Sequence, residues 1–348
     1  MDIQKCFVWI LATVAVLCSI ILLLYVAFPS LYIMILQYKD MKGAPVNSFS
    51  AEPMSTVTME NGIMCVTNIS YGEEYPNSYL DIYYKQDEND TTKPTFLYIH
   101  GGGYAWGDKA EGDPTAAAGN REKATFYLQK ICAAGYNVVS MNYALAPQYT
   151  YPTPLLQINQ AIRFLQQQKE TYNLDMSCVV ISGGSAGGQL AGQYANLVTN
   201  VPYAQEMNMT AALPKEALKG VVFSCALLVP KEFAKTGKLD TDILFLALQR
   251  CYFGDDAANL QMADVVENLG ADFPPCYITD GNYGTFDAQA AALDEKLTSL
   301  SVPHSCNFYT REHAKLGHGY DSFMSTPQAQ DNLQKVIGFL LSIQAAND

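Results

Sequence analysis

The sequence has few of the features that mark metal-binding, disulfide-linked or nucleic-acid-binding proteins. None of its nine cysteines forms a C-x-x-C pair, so the usual zinc and thioredoxin-like motifs are absent. We interpret the scattered cysteines as reduced, buried thiols rather than a disulfide framework. Lysine and arginine number only 21 against 34 aspartate and glutamate, and the net charge of −13 repels phosphate backbones. No nucleic-acid partner is therefore expected.

Charged residues are missing altogether between Cys6 and Tyr38. As a helix, the most apolar stretch, residues 7–28, would reach about 33 Å, enough to cross a hydrocarbon core. A cleaved signal peptide and a buried cap helix are the alternatives, but residues 27–30 make a poor cleavage site because Pro29 crowds the cut. We predict a single-pass transmembrane anchor at residues 1–38, with residues 39–348 on the extracytoplasmic side. The flanking lysines are nearly balanced, so this orientation is weakly encoded.

The remainder of the chain lacks internal repeats and low-complexity tracts and alternates short apolar runs with helical segments. Continuous apolarity is typical of parallel strands covered on both faces, and the alternation predicts a doubly wound α/β sheet. The predicted strands are 95–99, 137–141, 178–181, 220–223, 275–279 and 306–309, and the predicted helices are 122–134, 155–172, 186–198, 287–300 and 328–343. Segments 56–59 and 79–84 alternate in polarity and predict antiparallel edge strands. Residues 229–273, with a helical piece at 242–251, predict a small helical cap.

A glycine-rich turn follows one predicted strand and opens the next predicted helix. Residues 183–188 read Gly-Gly-Ser-Ala-Gly-Gly, with Ser185 at the centre. This is the context of a G-x-S-x-G nucleophile elbow, in which a sharp turn projects the serine hydroxyl above the sheet. The helix amino end behind the serine favours developing negative charge. The alternative is an ordinary glycine turn with an incidental serine.

A second glycine run, His-Gly-Gly-Gly-Tyr at residues 100–104, follows an earlier predicted strand. Consecutive glycines let the backbone approach a ligand closely and aim its N–H groups at one point. A phosphate-binding P-loop is excluded because no Lys-Ser/Thr pair follows. Both motifs in this order predict a serine hydrolase with an oxyanion hole.

Only four histidines are available as the general base. His100 belongs to the glycine run, and His304 begins a predicted strand at the end of the sheet opposite the elbow. His313 lies in a charged, solvated segment. His318 lies between two glycines after the last strand, where a loop can present its imidazole, so we predict that His318 is the base.

These motifs together resemble the hormone-sensitive-lipase-like esterases of the α/β-hydrolase superfamily (α/β-hydrolase fold-3). Five elements occur in the family's order between residues 94 and 343: residues 100–104, 142–147, 151–152, 183–188 and 318–320. Two of them depart from the usual pattern: Ala144 replaces an arginine, and Gly184 stands where the family usually has aspartate. The resemblance implies an α/β-hydrolase fold with a cap, and it assigns the oxyanion-hole N–H groups to Gly102, Gly103 and Ala186. Membrane-anchored arylacetamide deacetylases are similar in having an amino-terminal anchor before such a domain.

The acid of the predicted Ser-His-Asp triad departs from this family pattern. Its usual position holds Tyr283, which is no carboxylate at neutral pH. Two aspartates flank that position: Asp287 would begin a helix, and Asp280 would end a strand. We expect Asp287, or else Asp280, to orient His318. The alternative is that neither does, in which case Asp287 is a helix cap and Asp280 makes a turn bond.

The sequence thus predicts a serine carboxylesterase that hydrolyses short-acyl esters of small alcohols without cofactor or metal. Tyr104 and Trp106 are expected either to line the substrate pocket or to be ordinary packing residues. An amidase or deacetylase acting on N-acyl groups is one alternative function. A membrane-tethered pseudoenzyme that binds partners is the other. The oligomeric state is left open.

Overall fold

The described part of the chain contains a nine-stranded β-sheet with helices on both faces. The computed structural model describes residues 3–40, 46–48, 52–85, 92–110, 126–322 and 324–347. The strand order is β1-β2-β3-β5-β4-β6-β7-β8-β9. The strands are β1 Ser55–Thr58, β2 Ile63–Ser70, β3 Tyr79–Lys85, β4 Lys93–Ile99, β5 Asn137–Met141, β6 Leu174–Gly184, β7 Leu218–Ser224, β8 Cys276–Asp280 and β9 His304–Phe308. Strands β1, β2, β3 and β5 pair antiparallel, and every pairing from β5 through β4 to β9 is parallel.

Helices cover both faces of this sheet. They are α1 Ile3–Ala27, α2 Pro29–Asp40, α3 Phe126–Ala133, α4 Thr153–Gln168, α5 Ala186–Thr199, α6 Val201–Glu206, α7 Leu239–Phe253, α8 Ala257–Met262, α9 Asp287–Ser299 and α10 Pro327–Ala345. One buried cluster joins the sheet to α4, α5, α7 and α9, and a second joins it to α3 and α10. Both faces of strands β4 to β8 are thus buried by helices. This burial explains why their sequences are mostly apolar.

The predicted parallel strands and their connecting helices are confirmed. Strand β5 has the predicted bounds, and the other five parallel strands differ from their predicted bounds at one or both ends. Antiparallel strands at the edge were predicted at 56–59 and 79–84, but β2 between them was missed. Residues 63–66 read Ile-Met-Cys-Val without polar alternation, and the polar Thr67 and Asn68 follow them, with Asn68 at φ 59° near a register shift. Residues 122–125 of the helix predicted at 122–134 lie outside the described residues.

Most of the cysteines whose side chains the structure describes agree with the sequence-based interpretation. Six of these seven are buried and form no disulfide, namely Cys65, Cys132, Cys178, Cys225, Cys251 and Cys276, whereas Cys306 is exposed. Burial raises the pKa of the Cys132 thiol to about 12 and that of Cys251 to about 11, so both stay protonated at neutral pH. These thiols pack as small apolar groups.

The apolar N-terminal segment forms two helices separated at Phe28. Within the described residues, no helix combines the length and apolarity that crossing a membrane requires. The transmembrane helix predicted here is therefore not supported. Large apolar side chains of α1 nevertheless remain exposed, among them Phe7 and Trp9 at 61% and 73%.

Helix α2 packs against the rest of the protein instead of standing apart from it. Ile33 is fully buried in the main core cluster. Gln37 is 2% exposed, and its amide nitrogen donates hydrogen bonds to the carbonyls of Ala105 and Ala146 at 2.7 and 2.8 Å. The predicted boundary at residue 38 between the N-terminal anchor and the catalytic domain remains a prediction. The packing of α2 favours a boundary before Pro29 instead.

Candidate active site

Ser185 occupies a sharp turn between β6 and α5. Its backbone has φ 53° and ψ −120°, a region that residues with a Cβ adopt only under strain. The N–H group of Ser185 donates to the carbonyl of Ser224 at 2.9 Å, which ties the turn to the neighbouring strand β7. The structure thus gives residues 183–188 the backbone that a nucleophile elbow requires.

Two glycines around this serine are required by close packing. A Cβ on Gly183 would lie 2.3 Å from the carbonyl carbon and oxygen of Gly187, and one on Gly187 would lie 2.1 Å from the carbonyl oxygen of Ile99. Gly184 differs, because a Cβ there would meet nothing closer than 3.7 Å. The position where the resembling family usually has aspartate is therefore the one with room for a side chain.

His318 lies beside Ser185. Its Nε2 is 3.0 Å from the serine Oγ, within hydrogen-bond distance. Phe245 and Phe286 contact the imidazole edge to face, with ring centroids 5.7 and 5.1 Å away. Burial lowers the pKa of His318 to about 4, so the free imidazole is neutral at pH 7 and its lone pair is available to take a proton.

The other three histidines lie elsewhere. His100 is buried against the ring of Tyr143, and its Nδ1 lies 2.8 Å from the carbonyl of Gly101. His313 is exposed. His304 begins β9, at the opposite end of the sheet from Ser185, with Nε2 2.9 Å from Asp294.

Possible metal ligands occur together at that opposite end. One ligand atom from each of His304, Asp294 and Cys306 lies within 4.8 Å of the others. This group is remote from Ser185, so it offers nothing to chemistry at the serine.

Neither predicted aspartate contacts His318 directly. The Nδ1 atom of His318 is 3.1 Å from Oγ1 of Thr285, and that hydroxyl forms a hydrogen bond to Oδ1 of Asp280. Asp280 is fully buried and also accepts the N–H of Gly281 at 2.7 Å. Asp287 is the exposed first residue of α9, and no described hydrogen bond joins it to His318. The structure therefore connects Asp280, through Thr285, and leaves Asp287 outside.

Thr285 is the residue that sequence reasoning missed. It lies two positions after Tyr283 in the β8–α9 loop, and a threonine carries no expected role in that pattern. The one available signal was the missing carboxylate at Tyr283. That tyrosine ring instead faces outward, with the ammonium of Lys315 3.6 Å from its centroid.

The loop that carries Thr285 is held against the loop that carries His318. The Leu316 carbonyl accepts the N–H groups of Asn282 and Tyr283 at 2.8 and 3.1 Å. The Asn282 side chain in turn accepts the Leu316 N–H at 3.0 Å. A Cβ on Gly281 would lie 2.6 Å from the Leu316 and Gly317 carbonyls, so only glycine allows the two loops to approach this closely.

The glycine loop lies directly beside the elbow. A Cβ on Gly101 would be 2.9 Å from the Gly184 carbonyl and 3.3 Å from the Ser185 Cβ. Gly102 has φ +96°, which an L side chain rarely adopts. Among the described residues, no hydrogen bond engages the N–H groups of Gly102, Gly103 or Ala186. The structure thus places the glycine loop, which carries two of the three predicted donors, against the turn of Ser185, and the described part of the chain offers these N–H groups no partner.

The structure distinguishes between the two alternatives left open for the aromatic residues Tyr104 and Trp106. Tyr104 is fully buried, stacks on Tyr252 with centroids 3.8 Å apart and donates to Gln189 at 3.0 Å. It is therefore a packing residue and not a pocket wall. Trp106 is partly buried, and the Nε1 atom of its indole has no partner among the described residues.

The predicted cap region covers this site. Helix α7 lies in residues 229–273, and its Leu248 sits so close to the glycine loop that a Cβ on Gly103 would be 2.6 Å from a leucine methyl. Phe245 on the same helix contacts both His318 and Phe286. The space above Ser185 is therefore bounded by apolar side chains.

Comparison with known proteins finds relatives that are named as ester hydrolases. One relative is the probable carboxylic ester hydrolase LipM of Mycobacterium tuberculosis. It is 27% identical in sequence, over a region that covers 62% of this chain and 47% of LipM. Esterase LipI of the same organism is 27% identical over 65% of this chain and 66% of its own length. The chain thus spans about half to two thirds of these relatives.

Solved structures share the fold. Esterase B from Lactobacillus rhamnosis superposes with a TM-score of 0.70 at 19% identity, covering 95% of this chain and 97% of the other. The α/β-hydrolase fold that the sequence predicts is therefore confirmed. Residues 80–283, which include the elbow and the glycine loop, match the BD-FAE family model. The chain therefore belongs to the BD-FAE family, among the α/β-hydrolase fold-3 esterases.

Proposed function

We propose that this protein is a serine carboxylesterase that hydrolyses short-acyl esters. The observation that carries the proposal is the hydroxyl of Ser185, held on a strained turn 3.0 Å from Nε2 of a neutral, partly buried His318. The membership of an esterase family and the unpaired N–H groups beside the serine support it.

In the proposed reaction, Ser185 Oγ attacks the ester carbonyl carbon while its proton moves to Nε2 of His318. The carbonyl electron pair moves onto oxygen, where the N–H groups of Gly102, Gly103 and Ala186 stabilise it, each contributing about 3 kcal/mol. Collapse breaks the carbon–alkoxide bond, and the imidazolium gives its proton to the leaving alcohol. Water then attacks the acyl-serine by the same steps, which releases the acid and restores Ser185.

The acid of the proposed triad is Asp280 and not Asp287. A negative charge near His318 stabilises the imidazolium that forms during the attack. Asp280 is buried and joined to the imidazole by one intervening hydroxyl, whereas the Asp287 carboxylate is exposed and has no hydrogen bond to His318 among the described residues.

The preference for short acyl groups is supported by the cap. Leu248 and Phe245 of α7 approach the glycine loop and His318 closely, so an acyl chain bound to Ser185 meets apolar side chains within a short distance. We expect p-nitrophenyl acetate and butyrate to be hydrolysed with a higher kcat/KM than the octanoate. The matched p-nitroanilides separate an esterase from an amidase, because their leaving groups are poorer.

A fluorophosphonate probe tests the central claim. The full-length protein should be labelled at Ser185, and Ser185→Ala should lose both labelling and ester turnover. Ser177→Ala is the matched control, since Ser177 lies on the same strand but is exposed at its far end. An unlabelled wild type would indicate a pseudoenzyme, and labelling at another serine would refute the assignment.

We also propose that α1 associates with a lipid bilayer and that the catalytic domain is extracytoplasmic. The exposed apolar side chains of α1, such as Phe7, Trp9 and Leu11, support the first part, because exposed apolar patches favour transfer out of water. The full-length protein should float with phosphatidylcholine vesicles in a density gradient, and a variant without residues 1–28 should stay at the bottom. Accessibility of the domain to added protease in intact cells tests the orientation.

A further inference from the structure

The hydrogen-bond chain behind His318 contains a hydroxyl where a carboxylate is expected. It runs from Nδ1 of His318 to Oγ1 of Thr285 at 3.1 Å and from there to Oδ1 of Asp280. Thr285 is 1% exposed and Asp280 0%, so both side chains are shielded from bulk solvent. A second hydrogen bond, from the Gly281 N–H at 2.7 Å, holds the same carboxylate oxygen in place.

Counting the available protons determines which atom donates in each of these hydrogen bonds. A threonine hydroxyl has one proton to donate, and an ionised carboxylate only accepts. When Asp280 is ionised, Thr285 therefore donates to it, and the threonine oxygen is left to accept from His318. Nδ1 of His318 then carries a proton, and Nε2 presents its lone pair to the Ser185 hydroxyl.

We propose that Thr285 is a positioning residue that fixes the reactive tautomer of His318 and connects the imidazole to the charge of Asp280. This inference rests on the proposed esterase function and deepens it. No proton leaves Thr285 in the reaction. When Ser185 gives its proton to Nε2, the imidazolium keeps its Nδ1 proton, and the Thr285 hydroxyl stays oriented between that proton and the carboxylate.

The same chain also defines an inactive arrangement. If Asp280 is protonated, it can donate to Thr285, and Thr285 can then donate to Nδ1. The proton of the neutral imidazole would then sit on Nε2 and face Ser185, which leaves no base for the serine. The hydroxyl can serve both arrangements because it donates and accepts, and the charge of Asp280 selects between them.

The test compares Thr285→Val with Thr285→Ser in the full-length protein. Valine keeps the shape of threonine but can neither accept from Nδ1 nor donate to Asp280. We expect Thr285→Val to lower kcat on p-nitrophenyl acetate by about 10²–10³, with KM changed less than about threefold, because the lost interaction strengthens as His318 gains its proton. Thr285→Ser restores the hydroxyl and should recover activity to within about fivefold of wild type.

Thr95→Val is the matched control. Thr95 is also a fully buried threonine, but it lies on β4 and its hydroxyl donates to the carbonyl of Asp175, away from Ser185. This variant should keep wild-type kcat. Wild-type activity in Thr285→Val would overturn the inference, as would an equal loss in Thr95→Val.

A spectroscopic measurement on the wild type does not depend on how the variants fold. With ¹⁵N-labelled histidine, the His318 signals should show a protonated Nδ1 and an unprotonated Nε2 above pH 8, assigned by their absence in His318→Asn. A protonated Nε2 under those conditions would refute the inference. Its failure is distinguishable from failure of the esterase proposal, because fluorophosphonate labelling of Ser185 does not require Thr285 to be the intervening group.

Discussion

The side-chain amide of Gln37, near the end of the N-terminal helix α2, donates hydrogen bonds to the carbonyls of Ala105 and Ala146. Ala105 follows the glycine loop by two residues, so a helix far away in the sequence holds the segment that carries the proposed oxyanion donors. Both bonds are buried, and a partner removed from such a bond leaves a carbonyl that water cannot reach.

Replacing Gln37 should therefore destabilise the protein. In Gln37→Ala we expect the free energy of unfolding to fall by about 2–4 kcal/mol, since two buried carbonyls lose their donors. Tyr38→Ala, on the same helix but 73% exposed, should change it little. Urea unfolding measures both variants, and equal stability of the two would contradict the role of Gln37.

Truncation should distinguish the two N-terminal helices. Removing residues 1–28 should leave esterase activity within about threefold, because α2 stays in place. Removing residues 1–40 should abolish activity or solubility, since it exposes the surface under Ile33 and unpairs the two carbonyls. If the variant without residues 1–40 is active, the domain boundary lies near residue 38, as predicted from the sequence.

The two candidate acids should respond differently to the same change. We expect Asp280→Asn to lower kcat by about 10²–10⁴ with a smaller effect on KM, because the carboxylate charge stabilises the imidazolium. Asp287→Asn removes an exposed charge without a hydrogen bond to His318 among the described residues and should remain near wild type. Steady-state kinetics on one activated ester measures both, and the reverse order would make Asp287 the acid.

The pH dependence of activity should reflect Asp280. Burial raises the pKa of this carboxyl to about 7, whereas burial lowers that of His318 to about 4. The imidazole is therefore already neutral when Asp280 ionises, and kcat/KM should rise with pH through about 7 and level off above it. In Asp280→Asn this rise should disappear from the profile.

Groups next to Asp280 should shift the pH at which kcat/KM rises, which is the acid limb of the pH profile, in a definite direction. Asp280 is faced by the thiol of Cys225, the carboxyl of Asp321 and, through Thr285, His318. A charge on Asp321 raises the pKa of Asp280, so Asp321→Asn should move the limb to lower pH. A shift to higher pH, measured with the same ester, would contradict the assignment of the limb to Asp280.

Two glycines of the elbow should tolerate substitution unequally. Gly184→Asp places a side chain where the nearest atom lies 3.7 Å from the Cβ, and it introduces the residue usual in the resembling family. We expect it to retain activity within about tenfold. Gly187→Ala would force a methyl to 2.1 Å from the Ile99 carbonyl, so it should displace α5 and abolish fluorophosphonate labelling. Full labelling of Gly187→Ala would show that the helix shifts freely.

The local parts of the site could be predicted from the sequence. Residues 100–104 and 183–188 identify themselves because a close backbone approach and a sharp turn require glycine within a few consecutive residues. His318 could be found by elimination among four histidines, and the parallel strands by their continuous apolarity, which results from burial on both faces.

What the tertiary structure decided depends on contacts between distant segments. Tyr104 is a packing residue because Tyr252, from the cap, stacks on it. The apolar N-terminal segment is predicted to be helical whichever role it has. Only the tertiary structure shows that Ile33 and Gln37 are buried by packing against the rest of the domain. The acid was undecidable between Asp280 and Asp287, because the path of residues 281–286 determines which side chain reaches His318. That path is fixed by hydrogen bonds to Leu316 across two loops, and it places the Thr285 hydroxyl, not a carboxylate, beside the imidazole.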